Sequence, residues 1–104
     1  MAEAPTKTMD SKTMDDVRRE IDRIDRALVA LLAERQTYIE QAATIKTDRA
    51  AIRDDARIED VVAKVIQEAW DAGLSPHIAE PLWRLLIEKS IEHEYAVFDA
   101  KIKS

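Results

Sequence analysis

The sequence predicts an all-α protein with one domain, in which three helices follow one another and the first is long. Three observations support this prediction. The 104 residues include one Gly and three Pro, so few residues interrupt a helix. Hydrophobic residues make up 46% of the chain and charged residues 36%, a composition typical of amphipathic helices. Apolar residues also recur at helical spacing in three separate stretches.

Composition limits what the protein can bind. The net charge is −5 and the pI is near 5.0, which argues against nucleic acid as a partner because phosphate binding needs a basic surface. Without cysteine there is no thiolate site, and the two histidines do not form a zinc-binding pattern. We therefore expect no metal and no cofactor. The sequence has no apolar run near the length of a membrane span and no signal peptide core, so we expect no membrane partner and a cytoplasmic location.

The first 13 residues differ from the rest of the chain. They are polar, contain Pro5 and show no periodicity, so we predict a disordered tail over residues 1–13. The helical domain is predicted to occupy residues 14–104.

The first helix is predicted from about Met14 to about Thr47, with acidic residues at its start that suit the positive end of the helix dipole. Its apolar residues are spaced alternately by four and three and form a seam along one face. The seam consists of Val17, Ile21, Ile24, Leu28, Leu31, Tyr38, Ala42 and Ile45. A helix of roughly 33 residues is on the order of 50 Å long, whereas a compact monomer of this size spans about 25–30 Å. The helix length therefore predicts a homodimer, in which a second copy covers the seam.

Arg35 interrupts the seam where another Leu is expected. A guanidinium stays charged, and burying it without an anion is costly. Arg35 therefore either pairs with a carboxylate of the protein or faces a pocket for an anionic ligand. Lys46 follows 46 − 35 = 11 positions later, on the same side of the helix and roughly 16 Å along its axis. Arg18 points roughly 100° away from Arg35, so on a straight helix it can join them only from a second copy of the chain.

A short loop over residues 48–55 leads to the second helix, predicted over about residues 54–72. Asp54 or Asp55 is the expected N-cap. Gly73 is the single glycine and stands just past the predicted end, where a residue with positive φ is favoured.

The third helix is predicted to start at Ser75 and Pro76, as an N-cap followed by proline at the first helical position. Pro81 lies past the first turn and predicts a kink or a restart. Ser90 and Glu94 are four positions apart and form a polar strip within the apolar face of this helix.

Several motifs together resemble the all-helical (AroQ-type) chorismate mutase family, which includes the isochorismate–pyruvate lyases. They are VRREIDRID at residues 17–25, LLAER at residues 31–35, Lys46, Arg57, and LIEKSIEHE at residues 86–94. The resemblance covers about residues 14–101. It implies an intertwined helical homodimer with two active sites, acting in the shikimate pathway toward aromatic amino acids.

The resemblance also implies roles for individual residues. Arg35, together with Arg18 of the partner subunit, would hold the two carboxylates of chorismate. Lys46 would donate to the ether oxygen and contact a nearby carboxylate. Arg57 would add positive potential.

The remaining predicted site residues concern the ring and the ether oxygen. By the resemblance, Asp54 would meet the ring hydroxyl region and Ser90 would lie beside a carboxylate. Glu94 falls where many members have a Gln that bonds the ether oxygen. A carboxylate there would repel the developing negative charge, whereas a carboxylic acid would donate to it. We therefore predict that Glu94 is protonated for catalysis and that activity falls as pH rises.

Ile58 stands where many mutases have a Glu that bonds the substrate hydroxyl. The lyase relatives have an aliphatic residue there, so two substrates stay open, chorismate and isochorismate. Rearrangement of chorismate to prephenate is the first expectation, because it needs positioned cations and a hydrogen-bond donor but no nucleophile, metal or redox group. The alternatives are an isochorismate–pyruvate lyase that forms salicylate and pyruvate, and a helical dimerisation module without catalysis. In that last case the cations would be surface charges or structural partners of Glu or Asp.

Overall fold

The structure, a computed structural model, describes residues 12–103 and contains no strand within that range. It consists of three α-helices and one short 3₁₀ turn, which confirms the all-α prediction. The elements are α1 (Met14–Ile45), the 3₁₀ turn (Arg49–Ala51), α2 (Asp55–Ala72) and α3 (Pro76–Lys103). The predicted disordered tail lies outside the described residues except for its last two.

One of those two residues starts α1. Thr13 accepts a hydrogen bond from the backbone N–H of Asp16 at 3.1 Å, and the Asp16 carboxylate accepts one from the Thr13 N–H at 3.2 Å. This reciprocal pair is a capping box, which satisfies two N–H groups that the helix itself leaves without partners. The predicted start of α1 is therefore confirmed, and Thr13 is the residue that caps it.

Most of α1 is not covered by its own chain. Every residue from 21 to 34 is exposed, including Leu28 at 50% and Leu31 at 63%. The molecule measures 55 × 28 × 24 Å with a radius of gyration of 17.1 Å, against about 13 Å for a compact domain of this length. Between residues 21 and 34 the seam is therefore left uncovered by the part of the chain that the structure describes, as the sequence predicts. The second copy that would cover it stays a prediction.

The core lies at the other end of α1, where α3 packs against both α1 and α2. It is built mainly from α3, with one small contribution from each of the other elements. The buried residues of this core are Ala43, Ile52, Val62, Ile87, Ile91 and Phe98. This end of the molecule is therefore the rigid part on which a site can be built.

Local signals fix the ends of α2. Asp54 is its N-cap and accepts from the Arg57 N–H at 3.0 Å. Gly73 ends it in the left-handed region with φ of 78°, where a side chain would be strained. Both predicted caps are confirmed.

Of the kink or restart predicted at Pro81, the restart is wrong, because α3 runs through Pro81 without a break. Proline removes one backbone N–H from the helix. That single loss is outweighed here by packing on both sides, since Ala79 is fully buried and Ile87 is 7% exposed. Among the described residues no helix is apolar enough over a sufficient length to cross a membrane.

Candidate active site

A cavity of about 410 Å³ lies between the C-terminal part of α1, the start of α2 and the middle of α3. The structure brings seven of the eight predicted site residues to its wall. They are Arg35, Lys46, Asp54, Arg57, Ile58, Ser90 and Glu94. The eighth, Arg18, lies elsewhere on the chain.

Arg35 projects from α1 into this cavity. Its Nη1 donates to the Ser90 hydroxyl at 2.6 Å, and that hydroxyl donates onward to the Leu86 carbonyl at 2.7 Å. Ser90 thus fixes the guanidinium, since its oxygen accepts while its proton is used within α3. In residues 12–103 no carboxylate lies within ion-pair distance of Arg35.

The environment of Arg35 disfavours its charge. Burial lowers the pKa of the Arg35 guanidinium from its ordinary value, although it remains protonated at any pH at which proteins fold. A partly buried guanidinium whose protein partner is a single hydroxyl has donors to spare for an anion. Within residues 12–103 the structure places Arg35 at the cavity wall and gives it no carboxylate partner, and a role in binding an anion stays a prediction.

Lys46 and Glu94 form the second polar feature of the cavity. Lys46 Nζ lies 2.6 Å from Glu94 Oε2. Glu94 is only 5% exposed, so an ammonium is the partner that makes a carboxylate tolerable at this depth. Glu94 therefore pairs with Lys46 and not with Arg35 in this structure.

Asp54 and Arg57 line the cavity with part of their polar capacity already used. Asp54 Oδ1 caps α2 through the Arg57 N–H, which leaves its second oxygen for other contacts. The Arg57 guanidinium donates to Asp60 at 2.8 Å and its side chain is 62% exposed. The bond to Asp60 is made by Nη1, so the guanidinium of Arg57 has further N–H donors for a ligand in the cavity.

One wall of the cavity is apolar. Ile58 is half-buried there and stands next to Ile39, Ile52 and Val61. These side chains offer shape but no hydrogen bond. The part of a ligand that faces them binds more tightly if it is apolar, because its surface is then removed from water.

Arg18 does not reach the cavity of its own chain. It lies on the exposed part of α1, with its side chain 69% exposed and Nη1 3.9 Å from Asp15. It is 35 − 18 = 17 positions before Arg35, about 25 Å along the helix axis.

Long-range ion pairs that the sequence reasoning missed hold the cavity's frame. Arg49 binds Asp99 at 2.9 Å, and Arg53 binds Glu88, so α3 holds both ends of the turn that follows α1. No local pattern announces pairs of residues about 35 and 50 positions apart.

The same limit applies to a lysine near the end of α3. Lys101 donates to three backbone carbonyls at the end of α1. One feature of the sequence indicates that the end of α1 needs a donor from elsewhere: its last turn has neither a basic residue nor a glycine cap.

The charges of the cavity favour an anion. Three cations, Arg35, Lys46 and Arg57, face two carboxylates, Glu94 and Asp54, for a formal sum of +3 − 2 = +1. The site has one buried carboxylate that is already paired with an ammonium, so general acid–base chemistry by two free carboxylates is not what this arrangement favours. It is suited to binding and orienting an anion against an apolar wall.

Comparison with known protein families gives one match of high coverage. A family model described as "Chorismate mutase type II" matches residues 17–95. The match includes α1 from its second turn, all of α2 and the part of α3 that carries Ser90 and Glu94. A comparison with curated proteins gives no match. Because the family match spans most of the chain and contains every residue that lines the cavity, the chain belongs to the chorismate mutase type II family.

Proposed function

We propose that this protein catalyses the rearrangement of chorismate to prephenate. The observation that carries the proposal is the partly buried Arg35, which shares one cavity with Lys46 and, among the described residues, has a hydroxyl but no carboxylate as partner. Chorismate is a dianion of about the size that such a cavity accepts. The family of the chain supports chorismate chemistry at the level of the family.

The reaction requires little from the protein beyond position and charge. Within one molecule the ether C–O bond breaks as a C–C bond forms, so no group leaves and no proton has to be transferred. The barrier falls if the substrate is held in a compact chair and if the ether oxygen is stabilised as it gains negative charge. Arg35 would bind one carboxylate, and Lys46 would donate to the ether oxygen.

A second chain would complete the site. A further cavity of about 300 Å³ shares Arg35, Ile39 and Ser90 with the first and extends along the exposed part of α1. Its apolar wall includes Val29 and Leu32, whose exposure supports coverage by a partner. This groove gives Arg18 of the partner subunit a path to the substrate, and raises the formal charge of the site from +1 to +2, which matches a dianion.

The shared site predicts complementation between two inactive variants. Arg18→Ala and Arg35→Ala should each lose most activity alone. Refolding them together in equal amounts should restore about a quarter of the wild-type activity, because half of the dimers are mixed and each mixed dimer has one intact site. The measurement is activity of the mixture against the separately refolded variants. Activity that equals their average would mean that Arg18 does not act across the dimer, and a monomer in solution would exclude the arrangement.

The role of Glu94 predicts a pH effect. In this structure Glu94 is paired with Lys46, and a carboxylate beside the ether oxygen opposes the charge that forms there. We expect wild-type activity to be lower at about pH 8 than at about pH 5.5, and Glu94→Gln to be the faster enzyme at the higher pH because an amide donates at any pH. A flat profile with no gain for Glu94→Gln at pH 8 would contradict a protonated Glu94.

Ile58 favours one second candidate, an isochorismate–pyruvate lyase. It places a methyl-rich side chain in the cavity wall where a carboxylate could have bound a substrate hydroxyl. In the lyase reaction the same cations would hold isochorismate while pyruvate is eliminated and salicylate forms.

The deciding experiment offers both substrates to the purified protein. Loss of chorismate is followed by ultraviolet absorbance, and salicylate from isochorismate by fluorescence. Prephenate as the main product supports the mutase, and faster salicylate formation makes the lyase the main activity. Neither reaction, together with no binding of a chair-like bicyclic dicarboxylate, would overturn both and leave a helical dimerisation module.

A further inference from the structure

The last turn of α1 ends in carbonyl groups that the helix cannot satisfy itself. Lys101, from the last turn of α3, lies across this end. Its Nζ is 2.7 Å from the Ala43 carbonyl oxygen, 3.1 Å from that of Thr44 and 2.6 Å from that of Lys46. A single ammonium thus supplies donors to three backbone acceptors.

This arrangement replaces the usual ways of ending a helix. The last turn of α1 has no basic residue, and its cap residue Lys46 is extended, with φ of −64° and ψ of 139°, rather than left-handed. The cation that compensates the negative end of the helix therefore comes from another helix. Its position is well defined, because the Lys101 ammonium lies 4.4 Å from the ring centroid of the buried Phe98.

Lys46 is consequently held by α3 at two places. Glu94 binds its side chain at 2.6 Å, and Lys101 binds its carbonyl at 2.6 Å. Glu94 and Lys101 are 101 − 94 = 7 positions apart, about two turns, so both project from the same side of α3. One contact sets where the ammonium of Lys46 points, and the other sets where its backbone lies.

We propose that Lys101 is a positioning residue of the active site, which fixes the backbone of Lys46 so that its ammonium reaches the substrate. The proposal rests on the proposed function of Lys46. Lys101 does not line the cavity of about 410 Å³, and its ammonium donates to carbonyls at and just after the end of α1. It matters for catalysis because Lys46 follows the last residue of α1, where a helix end without partners for its carbonyls would fray.

The first test compares two variants that remove the same charge from the same turn. Lys101→Met keeps the apolar stem over Phe98 but loses the three hydrogen bonds, and Lys103→Met is the matched control. We expect Lys101→Met to lower kcat by roughly 10- to 100-fold, in line with small misplacements of a catalytic group, and Lys103→Met to leave it unchanged. Lys101→Arg, which keeps donors at this place, should recover most of the loss. Equal activity of Lys101→Met and Lys103→Met would overturn the proposal.

The second test asks whether Lys101 acts through Lys46 or through overall stability. Binding of the bicyclic dicarboxylate is measured by calorimetry for Lys101→Met in the wild-type and in the Lys46→Met background. If Lys101 acts through Lys46, its loss weakens binding in the first background and has little effect in the second. Equal weakening in both backgrounds would assign Lys101 a structural role only.

The two tests separate this inference from the function on which it rests. If the unsubstituted protein converts neither chorismate nor isochorismate and does not bind the bicyclic dicarboxylate, the proposed function is wrong. The inference about Lys101 then fails with it. If the protein is active but Lys101→Met behaves like its control, the inference alone is wrong. Faster exchange of the Lys46 amide hydrogen, which is bonded to the Ala42 carbonyl at 2.9 Å, is the expected structural sign in Lys101→Met, but not in Lys103→Met, that the end of α1 has loosened.

Discussion

Replacing Arg35 by Met should abolish most activity without weakening the fold. We expect kcat/KM to fall by about 100- to 1,000-fold, the usual cost of removing a positioned charge from a site where charge is stabilised. The melting temperature should be unchanged or higher. These opposite outcomes follow from one observation: in residues 12–103, Arg35 has a hydroxyl and no carboxylate as partner.

The reason for unchanged stability is that the fold gains little from this charge. Burial lowers the pKa of the Arg35 guanidinium, which means that the charged form is less favourable in the folded chain than in water, although arginine stays charged at working pH. Methionine keeps the aliphatic stem and removes the cost. Lys46 and Arg57 in the same cavity also repel Arg35 as long as no anion is bound. The grouping of these three cations becomes favourable when an anionic ligand binds between them.

A matched control is available on the same helix. Arg26 is exposed and lies about 200° around α1 from the seam residues Ile24 and Leu28, so Arg26→Met removes one charge away from both the cavity and the seam. It should leave kcat/KM unchanged. If Arg35→Met melts several degrees lower than Arg26→Met while retaining activity, Arg35 is a structural residue and the anion pocket is not a functional one.

The prediction for Arg35 could be made from the sequence because it depends on a local pattern. A charged residue in an apolar seam is visible without the fold, and so are Asp54 and Gly73, whose backbone positions restrict the residue types that fit. Helical period also placed Arg35 and Lys46 on one side of α1. Each of these inferences uses contacts within a few turns of one helix.

The features that sequence did not predict depend on pairs far apart in the chain. The sequence left open whether Arg35 pairs with a carboxylate, and the structure pairs Glu94 with Lys46 instead, because the packing angle between α1 and α3 decides which cation Glu94 meets. Lys101 was missed for the same reason. Pro81 shows the converse case, in which a strong local signal for a break is overridden by packing on both sides of it.

Lys46→Met should lose both activity and stability, in contrast to Arg35→Met. Loss of the donor to the ether oxygen is expected to lower kcat by about 100- to 1,000-fold. The same substitution leaves Glu94, which is 5% exposed, as a buried carboxylate without its ammonium. Because the Lys46 side chain is 30% exposed, solvent reaches the pair, and we expect a loss of about 2–3 kcal/mol in the free energy of unfolding.

A double variant separates these two effects. Lys46→Met combined with Glu94→Gln removes both charges of the pair, so the buried amide replaces an uncompensated carboxylate. Stability measured by urea unfolding should return most of the way to that of wild type, while activity stays at the level of Lys46→Met. Arg35 and Lys46 then differ in their partners. Arg35 would bind a carboxylate of the substrate, whereas Lys46 is already paired with Glu94 and would have to bind Glu94 and the substrate together. If the double variant remained as unstable as Lys46→Met, the lost stability would lie in the contacts of the Lys46 stem, and the ion pair with Glu94 would not be what holds this end of the cavity.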